Sequence, residues 1–216
     1  MPDVFTQLIP DAHAFLAGLA QNNSREWFND HRAQYETQLK SPARLLLDEV
    51  AQAVSKRSGA TVATKLFRPQ RDVRFSKDKT PYNTHLHMMW TVNGAGCALF
   101  LGIAPDYCTV GGGIMGFSPQ QTAHWRTALD GAWGDEVSAL LGVLALGGFA
   151  AKEPELKRVP APYGKAHPHG PQLRRKSLTL WHEMTAQEQA TPMAALMSAH
   201  LTLSPLFAML EDALTE

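Results

Sequence analysis

Fifteen consecutive residues, Arg68 to Tyr82, concentrate the side chains able to do ionic chemistry. They read Arg68-Pro69-Gln70-Arg71-Asp72-Val73-Arg74-Phe75-Ser76-Lys77-Asp78-Lys79-Thr80-Pro81-Tyr82 and carry five bases and two acids, a net of +3. Guanidinium groups present planar donor forks that match phosphate or carboxylate oxygens two at a time. Arg68, Arg71, Arg74, Lys77 and Lys79 are therefore candidate anion-binding residues. Asp72 and Asp78 are candidates to orient them, and Tyr82 to donate a hydrogen bond or to stack on a base.

The same residues admit a structural reading. Interleaved Arg and Asp also make ion-pair networks that pin helices to a sheet. If 72–76 is a strand, Val73 and Phe75 share one face, and Asp72, Arg74 and Ser76 the other. Arg74 then lies beside Asp72, close enough to pair. Two acids cannot neutralise five bases, so either a carboxylate arrives from elsewhere, Glu26 first among candidates, or an anion does.

Other chemistry is thinner. His85 and His87, two apart on a candidate strand, could supply two metal ligands, but a site needs a third, such as His124, His167, His169 or Asp72. No metal is assigned on this pattern, and the sequence leaves any cofactor unknown. Gly111-Gly112-Gly113 lacks both a dinucleotide fingerprint and a P-loop lysine, so a bulge or close backbone approach is expected there. No G-x-S-x-G elbow is present. Cys97 and Cys108 have no basic neighbour in sequence and read as inert buried thiols. Arg174-Arg175-Lys176 reads as a solvated basic edge or an extension of the positive patch.

The elements that must position the motif follow from periodicity. Asp11 begins a helix through Leu19. Asn23-Ser24-Arg25-Glu26 has a capping-box pattern. Phe28, His31, Tyr35 and Leu39 form an apolar-aromatic stripe at helical spacing. Ser41-Pro42, Ser118-Pro119, Thr191-Pro192 and Ser204-Pro205 each read as a helix start, because the hydroxyl caps an N–H and proline suits the first turn. From about Ala60 to Ile114 the period becomes two. Strands are expected at 62–68, 72–76, 85–92, 98–103 and 107–110. Val73, Phe75, Leu86, Met88, Trp90, Leu99 and Leu101 fall on their apolar phase. Helices return at 118–129 and 135–146. Residues 152–172, with five prolines, read as a loop, and 177–181 as a short edge strand.

The fold expected is α+β, one domain over residues 1–216, with a central antiparallel sheet flanked by N- and C-terminal helices. The first 59 residues are helical, 60–114 mainly β and 115–216 mainly helical.

The whole-chain numbers bound the function. Lys and Arg number 20, Asp and Glu also 20, so the net charge is zero and a molecule-wide grip on nucleic acid is not indicated. Two cysteines in 216 residues make no disulfide framework. The N-terminus has no basic leader, and Asp3 and Asp11 interrupt its apolar residues. No stretch reads as the ~18 apolar residues of a membrane span, Val137 to Phe149 being the longest candidate. A cytoplasmic protein without a membrane partner is expected.

The pattern R-x-x-R-D-x-R-F-x-x-D-K-x-P-Y at 68–82 resembles the signature of a bacterial family called domain of unknown function 2461. The likeness extends to Asn22-Asn23, Glu26-Trp27-Phe28, Arg32 and Tyr35. It also reaches Leu156-Lys157-Arg158, Pro160, Tyr163, His167-Pro168 and Lys176-Ser177. It departs at Asn83, where lysine is expected, and at Tyr163-Gly164. The resemblance implies no activity. Three functions follow from the residues: binding or turnover of a small phosphorylated or carboxylated ligand, a scaffold, or a nucleic-acid module stacking bases on Trp27, Tyr82 or Trp90.

Overall fold

The structure is a computed structural model that describes residues 4–92 and 96–214, so Asp3 lies outside the described residues. The fold is α+β. Six strands form one antiparallel sheet in the order β1-β2-β3-β4-β6-β5, flanked by the N- and C-terminal helices. The strands are β1 (Val62–Leu66), β2 (Leu86–Val92), β3 (Ala98–Ala104), β4 (Tyr107–Ile114), β5 (Ala150–Ala151) and β6 (Leu178–Glu183). Close contacts group the chain into two compact units. The first holds residues 1–91, 100–110 and 183–199, the second 92–99, 111–182 and 200–216.

The first unit opens with α1 (Leu8–Gln21), then α2 (Arg25–Asp30) and α3 (Arg32–Gln34). A π-helical turn, Tyr35–Lys40, runs straight into α4 (Ser41–Ser58). Ser41-Pro42 is therefore not a helix start. Proline at 42 deprives the Gln38 carbonyl of its usual donor four residues on. The chain answers with wider bonding: the Ser41 N–H reaches back five residues to the Glu36 carbonyl. Leu46, Leu47, Val50 and Val54 form the buried stripe of α4, which packs on β1. Trp90 of β2 is fully buried and donates its indole N–H to the Leu47 carbonyl at 2.9 Å. Alternation in β2 buries Leu86, Met88 and Trp90, while β3 is buried along its whole length.

The expected strand at 72–76 does not form. Residues 71–81 contain no strand, and the only ladder contact there is an isolated bridge between Gln70 and Tyr82. Val73 is half-buried and Phe75 is 97% exposed, against the expectation that both are core. Side chains of this segment bond its own backbone instead of leaving it free to pair, as described below.

In the second unit, Ser118 caps α5 (Pro119–Leu129) in a full capping box with Gln121. Then follow α6 (Ala132–Leu146) and the four-residue α7 (Gly170–Leu173). Trp125 of α5 is fully buried and donates to the Gln172 carbonyl at 2.9 Å. β6 lies inside the sheet between β4 and the short β5, not at its edge. The glycine run of β4 makes this possible by close backbone approach. A Cβ on Gly113, whose φ is +132°, would run into the Leu178 carbonyl, and one on Gly111 into that of Leu180.

Helices α8 (Ala186–Ala190) and α9 (Pro192–Leu214) close the chain. Pro205 sits inside α9, so Ser204-Pro205 starts no helix, and the Ser204 hydroxyl bonds the Leu201 carbonyl instead. By length and composition α9 is apolar enough to cross a membrane, so Val137–Phe149 is not the strongest such segment. It buries Leu196, Leu203, Leu206 and Leu210 within the protein, as a core helix does.

Candidate functional site

The motif is a loop closed at its neck. The Arg71 N–H donates to the Pro81 carbonyl at 2.9 Å, and the Asn83 N–H to the Pro69 carbonyl at 2.7 Å. Asn23, just ahead of α2, then holds the loop from outside. Its amide donates to the Tyr82 carbonyl at 2.9 Å and accepts from the Tyr82 N–H at 3.1 Å. The cap of α2 is Ser24, which accepts from the Trp27 N–H. The Asn23 side chain is thereby left for the loop. Tyr82 is buried and its ring stacks on Phe28 at 4.2 Å and 14°. It anchors the loop rather than facing solvent.

Within the loop, three local ties use up part of the charge. Arg71 meets Asp78 at 2.5 Å, and also the Thr80 hydroxyl and, at 3.2 Å, the Thr80 carbonyl. Arg74 grips Asp72 bidentately, donating from Nε at 2.9 Å and from Nη2 at 2.6 Å. Lys79 donates to the Val73 carbonyl at 2.9 Å. The Thr80 N–H, the Arg71 guanidinium and the Thr80 hydroxyl together hold the Asp78 carboxyl down to about 2. Asp72 is also held low, first by the Arg74 hydrogen bonds, with Arg68 in electrostatic reach. Lys77 is exposed and makes no side-chain contact among the described residues. Glu26 is exposed and supplies no ion pair to the loop among the described residues.

Arg68 points the motif to a second set of residues. With Pro69 and Gln70 it lines a cleft of about 250 Å³, together with Arg32 of α3, Lys40 of the π-helical turn and Arg44 of α4. Phe28, Tyr35 and Phe67 supply apolar walls. Lys40 is paired with Glu36 at 2.7 Å, the one carboxylate in the lining. Arg32, Arg44 and Arg68 have no hydrogen-bond or ion-pair partner among the described residues. The cleft therefore carries three guanidinium groups without a hydrogen-bonded carboxylate among the described residues, with Asp72 in electrostatic reach of Arg68. Burial, with Glu36 adding to it, pushes the Tyr35 phenol up to about 12 against the opposing pull of Arg44. Tyr35 thus stays protonated and can donate a hydrogen bond.

The sequence pattern placed the charge on one loop, whereas the cations of the cleft come from α3, the π-helical turn, α4 and the motif segment. Arg32 and Tyr35 carried a signal through the resemblance. Lys40 and Arg44 carried none, because they look like ordinary surface cations of an amphipathic helix. The π-helical turn contributes Tyr35, Glu36 and Lys40 to the lining, and such turns recur at functional sites.

The remaining candidates resolve as follows. His85 and His87 stack at 3.8 Å, and His87 contacts the Tyr107 hydroxyl at 2.7 Å. No group of three or more His, Cys, Asp or Glu that could hold a metal ion occurs among the described residues. Cys97 and Cys108 are buried, and burial pushes both thiols up to about 12, far from the reactive range.

A family model described as conserved hypothetical protein (DUF2461) matches residues 11–207 of the chain, most of its length. No curated protein and no solved structure matches it.

Proposed function

We propose that this chain, a member of the DUF2461 family of conserved hypothetical proteins, binds a small phosphorylated or carboxylated anion in the cleft of Arg32, Arg44 and Arg68. The observation that carries this reading is the three guanidinium groups that share one concavity without a hydrogen-bonded or ion-paired carboxylate among the described residues. Each brings planar, always-charged donors suited to an oxyanion. A volume of about 250 Å³ suits a molecule smaller than a nucleotide. The loop from Arg68 to Tyr82 positions Arg68, and its internal ties at Arg71, Asp72, Arg74, Asp78 and Lys79 keep that end fixed.

Binding fits the lining better than turnover. Tyr35 is a donor, and Glu36 is engaged by Lys40. Neither stands as a free base. Cys97 and Cys108 are free and buried, an arrangement that suits a reducing compartment, and a cytoplasmic location is part of this proposal.

Thermal denaturation with a panel of phosphates and small carboxylates tests the reading. A ligand at a hundred times its Kd stabilises by about 2.7 kcal/mol, which is a readable rise in Tm. Arg44→Ala and Arg68→Ala should each remove that rise while leaving the protein folded. A scaffold role predicts the opposite pattern: lower Tm in both variants and no response to any anion in the wild type.

A further inference from the structure

The second unit has a cavity of its own, of about 660 Å³, and its charge is one-sided. Lys157, Arg158, Lys165 and Arg174 line it, with His167, and no Asp or Glu joins them. The proline-rich segment builds it by folding back on itself. The Leu156 N–H donates to the Arg174 carbonyl at 3.0 Å, which sets Lys157 and Arg158 next to Arg174. Turns closed by Tyr163 N–H to the Pro160 carbonyl and His167 N–H to the Gly164 carbonyl, both 3.1 Å, bring Lys165 round to the same rim.

Two nearby acids are committed elsewhere. Glu155 accepts from the Lys176 N–H at 2.8 Å and from the Ser177 hydroxyl. Asp130 contacts Nε2 of His167 at 3.0 Å, while Nδ1 of that ring accepts from the His169 N–H at 3.1 Å. Both nitrogens of His167 are thus engaged, which leaves it a wall of the cavity and not a base or nucleophile. The four cationic side chains make no hydrogen bond or ion pair among the described residues. Like charges gathered this way repel one another unless an anion sits between them.

We infer that this cavity is a binding site for an organic ligand carrying two or more linked phosphates. Charge and size both favour that class. One phosphate monoester carries about −2 at most, half of what four cations balance. The volume lies in the range of organic ligand sites, and Val159 and Pro171 give it an apolar wall. The Arg68 cleft is less than half as large, so the two sites should select differently.

Isothermal titration of the full chain at low ionic strength with pyrophosphate, ADP and orthophosphate tests this. Pyrophosphate and ADP should bind at least ~10-fold more tightly than orthophosphate, and Arg174→Glu should weaken both by ~10-fold or more. Lys56→Glu, at an exposed lysine outside both sites, should leave both affinities unchanged, which separates loss of this site from a general loss of positive charge. If Arg174→Glu perturbs folding, Lys165→Ala serves in its place, since Lys165 is exposed and free of side-chain partners among the described residues, and should weaken binding ~3-fold. No heat with either diphosphate, equal affinity for orthophosphate, or undiminished binding in the Arg174→Glu protein would overturn the inference.

Discussion

Asp78 shows how a single carboxylate organises the charged loop. Its largest stabilising partner is the Thr80 N–H, ahead of the Arg71 guanidinium and the Thr80 hydroxyl. The folded-state value of about 2 lies below the ordinary carboxylate value near 4. Such a group stabilises the fold above its unfolded value, and that contribution disappears as pH falls through the folded one. The loop should therefore hold at pH 4 and loosen between about pH 4 and 2. Titration of the Asp78 carboxyl by NMR should give a midpoint near 2, and a midpoint near 4 would contradict the geometry. Arg71→Ala should raise the midpoint only part of the way to 4, because the Thr80 N–H remains. The cost of that variant to global stability should be small, since Asp78 is mostly exposed and solvent screens the pair.

At the scale of elements, the helical N-terminal region holds the loop through Asn23. Its two hydrogen bonds to Tyr82 span 59 positions of sequence and join residues that are buried or partly so. Asn23→Ala leaves both backbone groups of Tyr82 without those partners and should cost about 1–3 kcal/mol in urea denaturation. Asn23→Asp keeps the acceptor for the Tyr82 N–H but loses the donor to its carbonyl, so it should fall between. Equal stability of all three proteins would mean the clamp is not formed. Neither Asn23 nor the absence of a strand at 72–76 could be read from periodicity. The alternation from Asp72 to Ser76 does fit a strand. What defeats it is local: Asp72 accepts from the Arg74 N–H, Asp78 from the Thr80 N–H, and Lys79 takes the Val73 carbonyl. Pro69 and Pro81 at either end add no donors. By contrast, β2 was legible from its alternation and β3 from its unbroken apolar run, neither interrupted by competing polar contacts. Leu86, Met88, Trp90, Leu99 and Leu101 are all buried. Half of the cleft was legible for a similar reason. Arg68 stood in a charge-dense motif, whereas Arg44 shares its cleft only through the helix that the π-helical turn carries past Pro42.

At the scale of the whole molecule, the two compact units do not correspond to two lengths of chain. Each is assembled from three segments, so the chain leaves and re-enters each of them. The boundaries fall inside strands: β3 gives Ala98 and Leu99 to the second unit and the rest to the first, and β4 divides after Val110. A strand divided along its length in this way is incomplete in either unit alone, and unpaired buried N–H and C=O groups are costly. We expect a single cooperative transition on heating, with calorimetric and van't Hoff enthalpies equal, as small domains show. The same argument predicts that residues 1–91 alone do not fold. That fragment lacks the 100–110 and 183–199 segments, and with them the buried Leu101, Ile103, Cys108 and Leu196. Its far-UV circular dichroism should show residual helix at most and no sharp melt, because isolated helices of this length are marginal in water. Two resolved calorimetric peaks for the full chain, or a cooperative melt for the fragment, would show that the shared strands do not couple the units.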